Sequence, residues 1–433
     1  MRPPVLHAAV VVVAAALVLA PVAGASAAPS AANQHPHAVL IGGNLRENAD
    51  ILQSIVDLAD PDGTGPRKAR IAIVTAAAPA ARNAADAADD SENNAAANGL
   101  YYSALFQSYG AETYAVPIDT GADFPGDTYT PANAADPAVA AEIAASTGLF
   151  FGGGDQMRYV RTLFSCDDRE LEAHTDCTDT PAMTAIREVA ARGVVSGVSA
   201  GLTIQQGADM ITGGESYEAW RDGAAEGYLD DERALGYLPY GGFGFVDSVV
   251  IDSHFTTWGR EGRAVKLALE TGHPYVLGID ETTAVVLDRS TGKGTIIGEH
   301  GASILDLTRA VATESGVTGV SWSYANAGDG IRLGDTIGIV KGKDASPLKA
   351  RGAAAEPRTD VWDSLDGLGG AYTLRDLARD VVGSASRTGH GVSFETGPRF
   401  ATTLTRDDAT AAWTNSSGAV SFAGLRMDIA TVD

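Results

Sequence analysis

Apolar runs of strand length alternate with segments of helical spacing along the first 200 residues. Residues 37–43, 70–75 and 147–151 are such runs, and residues 47–58 and 181–192 carry apolar side chains at helical intervals. A run that is apolar at nearly every position is typical of a strand covered on both faces. The alternation therefore predicts an α/β fold, with a mostly parallel sheet flanked by helices.

From residue 275 the pattern changes to short strand-like runs joined by tight turns. These runs cover residues 275–280, 284–288, 295–298 and 302–307. They predict an antiparallel meander at the edge of the sheet. Residues 341–358 are rich in Lys, Ala, Gly and Pro, which is typical of a linker or a long loop. We therefore place the main domain at residues 37–343 and a C-terminal extension of unassigned role at residues 344–433.

The first 27 residues have the pattern of a secretory signal peptide. Arg2 gives a basic start, residues 5–20 are almost uniformly apolar, and residues 25–27 form an A-x-A cleavage pattern. The apolar stretch is short for a membrane-spanning helix, so an uncleaved anchor is the weaker alternative. The sequence predicts cleavage after Ala27, a linker at residues 28–36, and a secreted protein with no membrane partner after cleavage.

The two cysteines of the chain are Cys166 and Cys177. In an exported protein, a pair this close in sequence predicts a disulfide that closes a small loop. No histidine or cysteine lies nearby at the spacing of metal ligands, which argues against a metal site.

The formal net charge is −24 at neutral pH. A strongly acidic chain is repelled by nucleic acid and by anionic membrane surfaces, so neither is expected as a partner. Solubility outside the cell is the favoured interpretation of this charge.

Residues 197–201 read Gly-Val-Ser-Ala-Gly, between an apolar run and a segment of helical composition. A strand, Gly-x-Ser-x-Gly and a helix form a nucleophile elbow, in which the serine is exposed on a sharp turn. Ser199 is therefore the candidate nucleophile. The alternative is an ordinary tight turn, since the chain contains 50 glycines.

A serine nucleophile needs a base, and the base needs a group that orients it. His254 and Glu281 each close an apolar run, at the position where sites form beside an α/β sheet. Asp280 is the alternative to Glu281, because successive side chains of a strand point to opposite faces. The order Ser, His, acid differs from the order Ser, acid, His of lipase-like α/β-hydrolases.

An oxyanion hole needs two backbone N–H groups aimed at one point. Ala200 supplies the N–H that follows the nucleophile, and Gly153 or Gly154, in the glycine turn after residue 151, can supply the second. Phosphate binding is the alternative role of that turn. It is disfavoured because neither a Gly-x-Gly-x-x-Gly pattern nor a following Lys-Ser/Thr is present.

Four segments together resemble cyanophycinases, which belong to a serine peptidase family that also includes aspartyl dipeptidase. They are residues 151–156 (Phe-Gly-Gly-Gly-Asp-Gln), 197–201, 252–255 with Gly259, Arg260 and Arg263, and 278–281 (Gly-Ile-Asp-Glu). The resemblance covers roughly residues 37–343 and implies a class I glutamine-amidotransferase-like fold.

The resemblance also implies a role for each matched residue. Ser199 would be the nucleophile, His254 the base and Glu281 its orienting group. The remaining positions are an oxyanion hole at Gly153 and Ala200, and substrate-binding residues at Gln156, Asp252, Arg260 and Arg263. Arginines suit the carboxylates of a substrate through forked hydrogen bonds, and Asp252 suits its arginine side. A solvated helix face, or pairing with Glu261, is the alternative for the two arginines.

The implied activity is exolytic hydrolysis of cyanophycin, a poly-aspartate with arginine on each β-carboxyl, to β-Asp-Arg dipeptides. The resemblance suggests a homodimer, and the serine mechanism needs no metal or cofactor. Ser253 replaces the family's glutamine, and Trp258 stands where an arginine is usual. The alternatives are hydrolysis of other aspartyl or isoaspartyl peptides, and a non-catalytic extracellular peptide-binding protein on the same scaffold.

Overall fold

The computed structural model describes residues 36–60, 68–121, 124–166, 177–334, 337–349, 354–367 and 370–432. The predicted signal peptide, and the predicted linker up to residue 35, lie outside these ranges. Within them, no helix combines the length and the apolar character that crossing a bilayer requires.

The α-helices are Ala49–Ala59 (α1), Ala84–Ala88 (α2), Ala95–Ser108 (α3), Pro137–Ala144 (α4), Gln156–Leu163 (α5), Pro181–Ala190 (α6), Ala200–Thr203 (α7), Ser216–Asp222 (α8), Glu261–Thr271 (α9) and Thr373–Gly383 (α10). The strands of the first half are His37–Ile41 (β1), Arg70–Val74 (β2), Glu112–Ala115 (β3), Gly148–Phe151 (β4), Phe164–Ser165 (β5), Thr178–Asp179 (β6), Val194–Val198 (β7), Met210–Gly213 (β8), Ala224–Glu226 (β9), Leu235–Leu238 (β10) and Val250–Asp252 (β11). Those of the second half are Tyr275–Ile279 (β12), Thr283–Asp288 (β13), Lys293–Gly298 (β14), Gly301–Asp306 (β15), Val311–Thr313 (β16), Gly316–Asn326 (β17), Gly330–Arg332 (β18), Gly338–Val340 (β19), Ser346–Pro347 (β20), Arg358–Thr359 (β21), Thr388–Val392 (β22), Arg399–Thr405 (β23), Ala411–Thr414 (β24) and Val420–Val432 (β25).

The first sheet contains the parallel strands expected from the sequence. Strands β3, β2, β4, β7 and β1 pair in parallel, in that order. Strands β13, β14, β18 and β19 extend the sheet beyond β1 with antiparallel pairing. The predicted fold class, a mostly parallel sheet flanked by helices with an antiparallel edge, is confirmed.

Both faces of this sheet are covered. Ala38 and Leu40 of β1 pack in one core with residues of α5 and α6, whereas Val39 and Ile41 pack in another with residues of α1 and α3. Successive side chains of a strand point to opposite faces. A strand that is apolar at every position can therefore bury all its side chains only between two layers of helices.

Helices α1 and α6 begin at residues whose side chains cap them. Oδ1 of Asn48 accepts a hydrogen bond from the N–H of Ile51 at 3.2 Å, and Oγ1 of Thr180 accepts one from Met183 at 3.2 Å. Pro181 occupies the first turn of α6, where its missing N–H costs nothing. These local signals explain why the starts of both helices can be predicted from the sequence.

The prediction of one antiparallel meander over residues 275–307 is wrong. Strands β12 and β15 pair with each other in a second sheet, whereas β13 and β14 pair in the first. The chain passes from one sheet to the other at residues 280–282, where Thr282 has a φ of 53°. A short apolar run does not specify which strand it pairs with, because its side chains can be buried equally well beside several different strands.

The C-terminal segment, residues 344–433, continues the second sheet. In that sheet β25 lies between β17 and β23, and the order runs β11, β12, β15, β17, β25, β23, β22 and β21. Trp322 of β17, Leu377 of α10 and Phe422 of β25 are buried in one core. The sheet therefore continues across the boundary that the sequence predicts at residue 343.

Cys166 and Cys177 are joined by a disulfide next to the short hairpin of β5 and β6. Residues 167–176, which this bond encloses, lie outside the described ranges.

Candidate active site

Ser199 lies on the sharp turn between β7 and α7. Its φ of 56° and ψ of −115° place it in a region that few residues other than glycine adopt. The N–H of Ser199 donates to the carbonyl oxygen of Ile41, at the end of the neighbouring strand β1, at 3.0 Å. This backbone is the strained elbow that the pentapeptide predicts.

The two glycines of the pentapeptide are required by close backbone contacts. A Cβ on Gly197 would lie 2.1 Å from the carbonyl oxygen of Gly201, and a Cβ on Gly201 would lie 2.1 Å from that of Phe151. A larger residue at Gly197 would therefore distort the elbow itself, and one at Gly201 would push it away from β4. The motif therefore describes a packing requirement around Ser199 as well as a chemical one.

Ser199, His254 and Glu281 form a continuous hydrogen-bonded chain. Oγ of Ser199 lies 2.7 Å from Nε2 of His254, and Nδ1 of His254 lies 2.7 Å from Oε1 of Glu281. The second carboxylate oxygen of Glu281 accepts a hydrogen bond from the amide of Asn44 at 3.2 Å. A serine, a base and a group that orients the base are thus within direct hydrogen-bonding distance.

His254 and Glu281 follow β11 and β12, which are parallel neighbours with Asp252 opposite Gly278. The carboxyl ends of parallel strands meet at one edge of a sheet, which brings the two side chains together. Glu281, and not its neighbour Asp280, points at His254. Asp280 is fully buried and accepts hydrogen bonds from Thr256 and Tyr324.

Three consecutive residues at the end of β1, residues 41–43, bind all three segments of this triad; we call them the β1 turn. The carbonyl oxygen of Ile41 accepts from Ser199, that of Gly42 from His254 at 2.7 Å, and that of Gly43 from Thr282 at 2.8 Å. None of the sequence motifs indicated this role. Two adjacent glycines at the end of a buried strand were the signal that could have indicated it.

The electrostatic surroundings suit the roles that the geometry allows. Burial lowers the pKa of His254, more than its hydrogen bond to Glu281 raises it. The hydrogen bond from His254 lowers the pKa of Glu281, so that this carboxyl group stays ionised. A histidine that is neutral at neutral pH, beside an ionised carboxylate, can accept a proton from Ser199.

Gly153 and Ala200 flank the nucleophile, where the oxyanion hole is predicted. A Cβ on Gly153 would lie 3.5 Å from the Cβ of Ser199. Within the part of the chain that the structure describes, neither the N–H of Gly153 nor that of Ala200 donates to a backbone carbonyl. Both donors therefore remain available to a ligand beside Ser199.

Trp258 lies against His254, and Arg260 lies over the indole of Trp258. The guanidinium carbon of Arg260 is 4.5 Å from the centroid of the Trp258 indole, and Nη1 of Arg260 donates to the carbonyl oxygen of Ser253 at 2.9 Å. Burial and the neighbouring Arg263 lower the pKa of Arg260 to about 10. The side chain is therefore still a cation at neutral pH.

The structure differs from the prediction that Asp252 faces the substrate. Its carboxylate is buried, and Arg263 binds both of its oxygens, with Nε at 2.9 Å and Nη2 at 2.7 Å. Arg263 also donates to the carbonyl oxygen of Gly214. Charge compensation explains the difference, because a buried carboxylate needs a paired cation. Asp252 thus lies behind Arg263 and fixes its orientation.

One cavity opens beside Ser199, and a larger cavity adjoins it. The smaller, about 170 Å³, is lined by Ser199, Ala200 and His254 among others. The larger is about 690 Å³, and both share Gln156, Arg260 and Arg263 in their walls. Nε2 of Gln156 is held by the carbonyl oxygen of Ile211 at 2.8 Å.

The larger cavity has a mainly acidic wall. Its carboxylates are those of Asp155, Glu215, Asp230, Asp231, Glu232 and Asp363. Asp363 and the exposed Leu365 come from the C-terminal segment. Close by in the chain, Asp366 pairs with Arg233, the neighbour of Glu232, at 2.7 Å. This wall could not be recognised in the sequence, because carboxylates from four separate segments meet there only after folding.

About two-fifths of the chain is similar in sequence to cyanophycinases. The cyanophycinase of Trichormus variabilis is 30% identical over 177 residues, which are 40% of this chain and 50% of that protein. The cyanophycinase of Geminocystis herdmanii is 33% identical over 159 residues, 35% of this chain and 48% of that protein. The matches thus span about half the length of these relatives, and they confirm the resemblance that the motifs indicate.

Among solved structures, a peptidase from an acI-B1 actinobacterium aligns with a TM-score of 0.44 at 17% identity, over 69% of this chain and 98% of that chain. A putative peptidase E from Listeria monocytogenes aligns with a TM-score of 0.32 at 12% identity, over 61% of this chain and 98% of that chain. No protein-family model matches the sequence.

Proposed function

We propose that this protein is a secreted serine-type peptidase that cleaves cyanophycin to β-Asp-Arg dipeptides. The observation that carries the proposal is the continuous chain from Ser199 through His254 to Glu281, with both contacts at 2.7 Å. The similarity to cyanophycinases over part of the chain supports the choice of substrate.

In the proposed reaction, Oγ of Ser199 attacks the carbonyl carbon while Nε2 of His254 takes the hydroxyl proton. The N–H groups of Gly153 and Ala200 stabilise the oxyanion that forms. His254 then gives the proton to the leaving amine as the bond from carbon to nitrogen breaks, and an acyl-enzyme remains. A water molecule, deprotonated by His254, attacks this ester and restores Ser199.

The charges of the two cavities support a substrate with both signs. Arg260 and Arg263 lie at the end nearer to Ser199, where they suit the carboxylates of an aspartate chain. The acidic wall of the larger cavity suits the guanidinium groups of a polymer with arginine side chains. Burial, with Asp360 and Glu215, raises the pKa of Asp363 to about 6, so this wall becomes less negative in mildly acidic solution.

Other aspartyl or isoaspartyl peptides are the second candidate substrates. Trp258 favours them, because a partly exposed indole contacts the cavity at a position where an arginine is usual in cyanophycinases. The hydrogen-bonded triad argues against a purely peptide-binding protein. A scaffold that only binds has no need of the strained backbone at Ser199.

The test is release of β-Asp-Arg from insoluble cyanophycin by the mature protein, beside Ser199→Ala and the exposed-serine control Ser290→Ala. Release by the wild type and the control, but not by Ser199→Ala, would support both nucleophile and substrate. Labelling of Ser199 by a fluorophosphonate without release would move the substrate to another aspartyl peptide. Neither release nor labelling would overturn the proposed chemistry.

Secretion and a homodimer complete the proposal. Export is tested by sequencing the N terminus of protein from the culture medium, which should begin at Ala28. Light scattering of the mature protein should give twice the mass of one chain. A cytoplasmic full-length product would contradict the first expectation, and a monomer would contradict the second.

A further inference from the structure

The turn that carries His254 is joined to the turn that carries Glu281 through Thr256 and Asp280. Thr256, two residues after His254, donates its N–H at 2.8 Å and its hydroxyl at 2.7 Å to Oδ1 of Asp280. Asp280 directly precedes Glu281. This contact therefore sets the separation of the base from the group that orients it.

The C-terminal segment also contacts both Thr256 and Asp280. The carbonyl oxygen of Thr256 accepts a hydrogen bond from the N–H of Tyr372 at 3.0 Å, just before α10 begins. One turn further, Nη1 of Arg375 lies 3.8 Å from Oδ2 of Asp280. Residues of α10 thus reach the support of the triad, although the motifs of the sequence resemblance end far upstream of them.

Asp280 needs a cation nearby because it is buried and must accept several hydrogen bonds. Its carboxylate also accepts the hydroxyl of Tyr324 at 2.8 Å, which makes three donor groups in all. A protonated carboxyl group carries a donor of its own, so at least one of the three donors would lose its partner or reorient. The network therefore depends on Asp280 being ionised.

The charge on Asp280 is set by a small group of neighbours. Burial raises its pKa, and Arg375 is the main influence that lowers it again. The titratable and charged side chains around it are Tyr324 of β17, Glu261 of α9, His300 before β15, and Tyr372, Arg375 and Arg379 at α10. Glu261 is a second acid there, and Nη2 of Arg379 is bound by Asn326 at 2.9 Å.

Arg375 is held in place by its own contacts. Its side chain is 6% exposed, and Nε and Nη2 donate to Oδ1 of Asp376 at 3.2 and 3.0 Å. The guanidinium carbon lies 3.8 Å from the centroid of the Tyr372 ring. A fixed cation beside a buried carboxylate keeps that carboxylate ionised with little reorganisation.

We infer that Arg375 is a positioning residue for the reaction at Ser199, acting through Asp280 on the separation of His254 and Glu281. This inference rests on the proposed function. It makes the C-terminal segment a part of the catalytic unit, since the triad would depend on a cation that the main domain does not supply.

The test compares Arg375→Met with Arg375→Lys, which keeps the charge, and with Arg358→Met, which breaks an exposed ion pair with Asp380. Turnover of cyanophycin and the rate of Ser199 labelling by a fluorophosphonate are measured from pH 5 to 9. We expect Arg375→Met to lose about tenfold or more in kcat at pH 6.5 with little change in KM. Its activity should recover at higher pH, where Asp280 is ionised even without the guanidinium of Arg375.

Arg375→Lys and Arg358→Met should keep the pH profile of the wild type. An Arg375→Met variant with an unchanged profile would overturn the positioning role alone. A wild type with neither turnover nor labelling would overturn the proposed function, and this role with it.

If Arg375→Met does not fold, a substitution of Asp280 tests the same positioning role. Asp280→Asn cannot ionise, so it should show the same loss of kcat at neutral pH without recovery at high pH. Full activity of Asp280→Asn would overturn the inference.

Discussion

The indole of Trp258 is stacked on the imidazole of His254, with ring centroids 4.0 Å apart and ring planes 19° apart. The backbone of Gly43 lies against the same imidazole, since a Cβ there would be 2.3 Å from Cε1 of His254. Packing by Trp258 and Gly43 excludes water from the ring. This explains why burial is the largest influence on the pKa of His254.

Trp258→Ala should move the acid limb of activity to higher pH. Burial holds the pKa of His254 below its ordinary value of 6.5, so the base is protonated at a lower pH than a solvated histidine. Exposing the ring to water removes part of that depression, and the base is then protonated sooner as the pH falls. The pH dependence of kcat/KM checks this, with Trp258→Phe as a stacked control. An acid limb at the same pH in the alanine variant and in the wild type would contradict this prediction.

Gly43→Ala should displace His254 and lower kcat by about 100-fold or more, because a misplaced base loses its alignment with the nucleophile. The new methyl group would lie 2.3 Å from Cε1 and 2.5 Å from Nδ1 of the ring. Gly328→Ala is the matched control, since Gly328 also has a positive φ but no atom within 4 Å of an added Cβ. Single-turnover kinetics measure the loss of catalysis, and circular dichroism shows whether the fold itself has changed. Equal losses in both variants would point to backbone strain instead.

Glu281→Gln should lower kcat by about 10³- to 10⁴-fold with the fold intact. The amide has nearly the same shape, but its NH₂ group can force the wrong tautomer on His254. Steady-state kinetics on cyanophycin, or on the peptide that the wild type cleaves, measure the loss. A loss below tenfold would assign the orienting role to another group.

Glu261→Gln should stabilise the protein at alkaline pH. Glu261 is fully buried, neither carboxyl oxygen accepts a hydrogen bond from another described residue, and burial raises its pKa to about 8 from 4.5. Between these pH values the unfolded chain releases a proton that the folded protein keeps, so stability falls as the pH rises. We expect the variant to exceed the wild type by about 1 to 3 kcal/mol in free energy of unfolding at pH 8, and to match it near pH 4.

Urea denaturation at several pH values checks this expectation. Glu314→Gln, a change at an exposed glutamate of a surface turn, is the control. A difference that is the same at every pH would show that packing, and not ionisation, is responsible.

The parallel part of the fold was predictable because its signals are local. Each apolar run such as residues 70–75 must be covered on both faces, and caps such as Asn48 mark where a helix starts. The partition of residues 275–307 between two sheets was not predictable. It depends on pairing with β1 and β11, which are distant in sequence and leave no mark on the runs themselves.

The site divides in the same way. Ser199, His254 and Glu281 each follow an apolar run, so their types and order could be recognised in the sequence. The burial of Asp252 behind Arg263 could not, because a carboxylate at a strand end has the same appearance whether it faces a cavity or a cation. The contributions of Asp363 and Arg375 come from a segment that the motifs do not reach.

The β1 turn links the three segments of the triad to one another. Ser199 follows a strand of the first sheet, whereas His254 and Glu281 follow strands of the second. A movement of one sheet relative to the other would therefore separate the nucleophile from the base. Because Ile41, Gly42 and Gly43 hold all three segments by backbone hydrogen bonds, a displacement of this turn carries the three side chains together. These three hydrogen bonds therefore oppose any change in the distances between the three side chains when one sheet shifts against the other.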